Sequence, residues 1–151
     1  MKIISLNFIN GNFLLDEIIV SPLYHSEFIA KIKENNITLK YLKTNTSINN
    51  LYTSGILKNF ELGVNFYFED FRMKSIWLPW DGGNAKKYEY NTTEAQPLSD
   101  KKTLTKLLAE ISNKQPDKTT KATSTFYFPW GLISASASIQ SLNASIGISW
   151  H

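Results

Sequence analysis

Apolar positions along this chain recur mostly at every second residue, the period of a strand with one buried face. Residues 2 to 9 and 13 to 20 are two runs rich in Ile, Leu, Val and Phe, parted by Asn10-Gly11-Asn12. Asn-Gly between such runs predicts a β-hairpin at the start of the chain. Ser21-Pro22 then offers an N-cap followed by proline at the first helical position. Leu23, Tyr24, Phe28, Ile29 and Ile32 fall near one face before Asn35-Asn36, so a helix is expected from about 22 to 35. Ile37, Leu39 and Tyr41 alternate with Thr38, Lys40 and Leu42 as a half-buried strand, and the polar stretch 44 to 50 reads as a loop. Residues 51 to 58 fit either element.

Val64, Phe66 and Phe68 alternate with Asn65, Tyr67 and Glu69, and a second run extends from Phe71 to Leu78. This predicts two tightly joined strands, or one bent by a bulge, at the centre of the sheet. From Asp81 to Leu98 the chain is polar and carries Gly82-Gly83-Asn84, which predicts a long loop of the kind that is functional or mobile in compact domains. Ser99 is the expected N-cap of a second helix over 100 to 113, with Asp100 in its first turn and a stripe of Leu104, Leu107, Leu108 and Ile111. Phe126 to Phe128, Leu132 to Ile139 and Ala144 to Trp150 return to strand signals. The last two alternate Ser with Ala and Ile and form a C-terminal hairpin with one packed face. The expected fold is a single α+β domain over 1–151, with a largely antiparallel sheet of about six or seven strands and two helices.

A motif occurs twice, Ile76-Trp77-Leu78-Pro79-Trp80-Asp81-Gly82 and Phe126-Tyr127-Phe128-Pro129-Trp130-Gly131. Proline cannot donate to a ladder, so each copy reads as a strand end or an edge strand at a bulge. Trp80 and Trp130 either cap the core there or stand exposed as binding anchors, since Trp is enriched in hot spots.

Charge and composition narrow the chemistry. Cysteine is absent, which removes disulfides, cysteine-bearing metal sites and cysteine nucleophiles and fits a reducing cytoplasm. Asn7, Asn10 and Asp16 interrupt the apolar start before a signal-peptide core, and no run approaches the roughly 20 apolar residues of a membrane span. An unprocessed cytoplasmic chain without a membrane partner is therefore expected. The formal charge is +3, and Arg72 is the single arginine among sixteen cations. The lysines of 101 to 121 read as a solvated face and loop, with a phosphate-contacting patch as the alternative.

His25 and His151 have no ligand partners at metal spacing, and no nucleophile elbow, phosphate loop or cofactor motif is present. No metal, no cofactor and no enzymatic activity are expected. Glu69, Asp70 and Asp81 near tryptophans are the remaining enzymatic option, as a carboxylate pair for glycoside cleavage. Glu69 and Asp70 read more simply as a turn, or as partners of Arg72 or Lys74. Binding of single-stranded nucleic acid is the alternative function, with Phe66, Tyr67, Phe68, Trp77, Tyr88 and Tyr90 as stacking platforms beside Lys74, Lys86 and Lys87. Glu69, Asp70 and Glu89 break up the charge that such a groove needs.

A short cysteine-free α+β chain rich in Asn, Lys, Ile and Ser, with the C-terminal runs Phe128-Pro129-Trp130-Gly131-Leu132-Ile133-Ser134 and Ile146-Gly147-Ile148-Ser149-Trp150, resembles the small cytoplasmic immunity proteins of bacterial polymorphic and contact-dependent inhibition toxins. The resemblance is one of style across the chain and carries no family residue over. It implies an antitoxin function, in which the protein binds a cognate toxin domain, often a nuclease, and occludes its active site. The partner-binding candidates are Trp80, Asp81, Lys86, Lys87, Tyr88, Tyr90 and Trp130.

Overall fold

The computed structural model describes residues 2–41, 50–83, 95–138 and 140–151. In chain order its elements are β1 (Lys2–Leu6), β2 (Phe13–Leu15), β3 (Ile18–Ser21), α1 (His25–Glu34), β4 (Lys40–Tyr41), β5 (Asn50–Leu57), β6 (Phe60–Glu69), β7 (Arg72–Trp80), α2 (Ala95–Ser112), β8 (Lys118–Thr119), β9 (Thr123–Phe128), β10 (Gly131–Ser138) and β11 (Asn143–Trp150). Ten strands follow one path, β3-β2-β1-β5-β6-β7-β11-β10-β9-β8, with β4 paired to β5 beside it. The α+β class agrees with the sequence reading, but the strands outnumber the expected six or seven. The additional strands are β5, from the stretch that fitted either element, the short β8 in the polar connector after α2, and β3, where a tight turn cuts an apolar run.

The run from 13 to 20 divides in this way. Asp16 and Glu17 both take positive φ, 47° and 68°, and turn the chain between β2 and β3. The loop expected at Asn10-Gly11 instead spans residues 7 to 12, where the Asn7 carboxamide oxygen accepts from the Ile9 and Asn10 amides. The first helix starts later than expected. Ser21 ends β3, and its buried hydroxyl caps nothing. The second helix starts earlier, at Ala95, and places Ser99 inside it. Residues 51 to 57 belong to β5 and Lys58 to the turn after it, and the second strand pair forms a tight hairpin with a bulge between Tyr67 and Phe68.

Among the described residues all neighbouring pairs are antiparallel except β1 with β5. One sheet face carries the core, including Ile4, Leu15, Val64, Phe66, Leu78, Ile133 and Ile148. Phe28 of α1 lies 4.8 Å from the Phe66 ring and 5.2 Å from Phe68, and Phe13 of β2 meets Phe66 edge-on at 6.2 Å. The β1 to β3 layer is thus folded back over β6. The far strands close the roll: the Trp130 indole N–H donates to the Phe8 carbonyl at 2.9 Å, and that of Trp150 to the Gly11 carbonyl at 2.8 Å. Helix α2 packs on β10 and β11 through Leu104, Leu107 and Leu108.

The basic stretch after residue 100 is only partly a solvated face. Lys101 is buried and donates to the Thr120 carbonyl at 3.1 Å, and burial followed by the neighbouring Lys102 charge holds it below the usual lysine range. Lys114 donates to Asp117 at 2.7 Å and to the Tyr127 carbonyl at 2.9 Å. Asp117 also accepts from the Tyr127 amide at 2.8 Å. The Lys114 bond first, then the Tyr127 N–H, lower its carboxyl below the usual range. A carboxyl depressed by folding contributes stability above its unfolded pKa of about 3.9 and loses that contribution as pH falls through the folded value. Asp117→Asn should therefore lower the urea midpoint at pH 6 and lower it less as pH falls below about 4. A shift that does not change with pH would dismiss the linkage.

Candidate functional site

The outer face of the sheet is built from the residues that alternate with the core. Register places Tyr127, Leu132, Ser149, Ser75 and Tyr67 in one row across β9, β10, β11, β7 and β6. The next row is Thr125, Ser134, Gly147, Trp77, Asn65 and Tyr52. Small residues of β10 and β11 thus floor a shallow strip between Tyr127 on one side and Tyr67 and Trp77 on the other. Tyr67 and Trp77 remain 47% and 46% exposed.

A second group of exposed aromatic residues lies at the start of β7. Tyr24 bridges to Arg72, whose guanidinium carbon lies 5.4 Å from the centre of the Tyr24 ring, a cation–π geometry. Between β6 and β7 the turn residues Asp70 and Phe71 take φ of 51° and 64°. Such a turn favours Asn-Gly or Asp-Gly, and a bulky side chain in its second place is an outlier. Phe71 is nevertheless there and is 72% exposed. Its backbone is held by α1: the His25 amide donates to the Phe71 carbonyl at 2.7 Å, and the Met73 amide to the Leu23 carbonyl at 3.0 Å. The helix obtains a partner for an orphan N-terminal donor there, since Tyr24 at its N-cap supplies no side-chain cap. Hollows of about 220 and 250 Å³ flank Arg72, one beside Tyr24 and Glu27, the other beside Glu69 and Lys74.

The residues singled out from sequence lie elsewhere. Lys86, Lys87, Tyr88 and Tyr90 fall outside the described residues, as does most of the 81 to 98 segment. Trp80 points inward, is half-buried and meets Phe60 edge-on at 5.0 Å, with Asp81 exposed after it. Trp130 is half-buried too, stacked on Phe128 at 5.1 Å and bonded to Phe8. Both tryptophans thus pack against the core. Pro79 lies within a central strand, two residues beyond the last β6 partner at Trp77, where no β6 ladder bond is lost. Phe66 and Phe68, expected among the stacking platforms, are buried in the core, while Tyr67 and Trp77 are outside.

Tyr24, Phe71 and Arg72 were missed as candidates. The available signal was Asp70-Phe71 between two strand runs, where glycine would ordinarily follow Asp. Among the described residues no group of three or more His, Asp or Glu could hold a metal ion, and no helix is long and apolar enough to cross a membrane. The His25 ring packs edge-on against Phe68 at 5.0 Å. Comparison with protein-family models, with curated proteins and with solved structures found no match.

Proposed function

We propose that this chain is a protein-binding inhibitor of the immunity type, which neutralises a cognate bacterial toxin domain by covering its active site. The observation that carries this reading is Phe71. A side chain in the left-handed region costs about 1–2 kcal/mol relative to ordinary backbone. An exposed phenyl ring recovers little of that inside the protein, whereas an aromatic anchor recovers it in a partner's pocket. Strain of this kind gathers at functional sites. Tyr24 and Arg72 beside it, and Trp77 further along β7, are of the residue types that dominate binding hot spots.

Glycine relieves the turn and removes the anchor in one change. Phe71→Gly should stabilise the free protein by about 0.5–1 kcal/mol in urea unfolding, because the positive φ no longer meets a Cβ. In cells expressing the toxin domain encoded beside this chain, the same variant should weaken protection, with at least a tenfold higher dissociation constant for the purified pair. Undiminished protection by Phe71→Gly, and by Tyr24→Ala with Arg72→Ala, would remove this face from the interface. An adjoining gene product that neither arrests growth nor binds the protein would remove the inhibitor reading itself.

A further inference from the structure

Among the described residues strands β1 and β5 are the single parallel pair, joined at Lys2 with Gly55 and Ile3 with Ile56. Beyond that point the chain leaves β1 towards β2 on one side, and leaves β5 towards β6 on the other. With only two residue pairs holding them, the two strands separate beyond Ile3 and Ile56 and leave a crevice at their carboxyl ends. Here the crevice is a cavity of about 590 Å³, within the range of small-molecule sites. Its walls are Ile4, Leu6 and Phe8 on one side, Ile56 and Leu57 on the other, and Ile111 from the last turn of α2. Among the described residues the polar side chains at the crevice are Ser5 and Lys58.

We propose that this crevice binds a small amphipathic anion, an aliphatic chain bearing one carboxylate, with the chain among Leu6, Leu57 and Ile111 and the carboxylate at the Lys58 ammonium. The walls select an apolar body. Lys58 is exposed in the turn after β5, at φ 56°, and makes no ion pair among the described residues. A peptide strand is a poorer occupant, because β1 runs only three residues past its last β5 partner and offers too short an edge for strand addition. The carbonyl end of α2 does not oppose an anion strongly, since the Ser112 hydroxyl donates to the Leu108 carbonyl at 2.6 Å and the Lys114 amide to that of Ala109 at 3.3 Å. This site is separate from the Phe71 face and stands whether or not that face binds a toxin.

The test is calorimetric titration of the full chain at pH 7.5 with decanoate and, in parallel, decanol. Decanoate should bind one to one, and decanol two- to fivefold more weakly, the increment expected of one exposed ion pair. Lys58→Asn, whose side chain tolerates positive φ, should bring decanoate down to the decanol affinity. Ile111→Glu should weaken both ligands at least tenfold by placing a carboxylate in the wall. If circular dichroism shows that variant unfolded, Ile56→Trp fills the crevice without charge and is read in the same way. Absence of decanoate binding, or binding indifferent to the wall variants, overturns the site. Equal affinity for decanol and decanoate in the unmodified protein overturns the anion and the role of Lys58.

Discussion

Phe66→Ala is expected to destabilise the protein by about 3–5 kcal/mol, the range for removing a buried phenyl ring from a packed core. That is a large part of the roughly 5–15 kcal/mol by which domains are stable. The ring is fully buried and is the meeting point of three elements: it touches Phe28 of α1 and Phe13 of β2 from its own place on β6. No single neighbour can move to fill the space without withdrawing from the other two. Guanidinium unfolding followed by far-ultraviolet circular dichroism measures the loss. Ile9→Ala, at the 91% exposed tip of the β1 to β2 loop, is the control and should stay within about 0.5 kcal/mol. A Phe66→Ala loss below about 1.5 kcal/mol would mean that the β1 to β3 layer does not rest on β6 as described.

Gly11→Ala should destabilise by about 2–5 kcal/mol, through two effects of one methyl group. Gly11 sits at φ 80°, where a Cβ costs about 1–2 kcal/mol. That Cβ would also lie 2.6 Å from Cε3 and 2.8 Å from Cγ of Trp130, an overpacking that adds about 1–3 kcal/mol. Trp130 cannot retreat freely, since it is stacked on Phe128 and donates to Phe8. The contact closes the roll, because it joins the β1 to β2 loop to the β9 to β10 turn, more than a hundred residues away in the chain. A double-mutant cycle separates the effects: with Trp130→Leu in place the clash disappears, and only the backbone part of the Gly11→Ala loss should remain. Additive losses in that cycle would show that the two residues do not meet.

The long strands and the helical stripe were legible because their periods survive over many residues. The alternation of Ile133, Ala135 and Ala137 with Ser134, Ser136 and Ser138 in β10, matched by Ile146 and Ile148 in β11, told both the hairpin and its packed face. Leu104, Leu107 and Leu108 likewise told the buried side of α2. Strands of two to four residues, such as β2, β3, β4 and β8, are too short for a period to register. Their pairing is decided by turns and by neighbours. The lysines show a similar limit, since nothing local distinguishes Lys101, held against Thr120, from Lys102 beside it, which is exposed.

The surfaces assigned to binding divide along the same line. Composition and pattern were enough for an α+β chain with two helices and a mainly antiparallel sheet, because element type follows from residue period, and period is a local property. Which tryptophans face inward is not local. Trp80 and Trp130 share a motif, and both turned out to pack on the core, through partners on other strands. The exposed Phe71 turn became visible only when α1 was seen to hold it, and the crevice only when β1 and β5 were found side by side with their connections parting. Both depend on which distant segments the rolled sheet brings together, a choice made by the simultaneous burial of Phe13, Phe28 and Phe66 rather than by any run of residues.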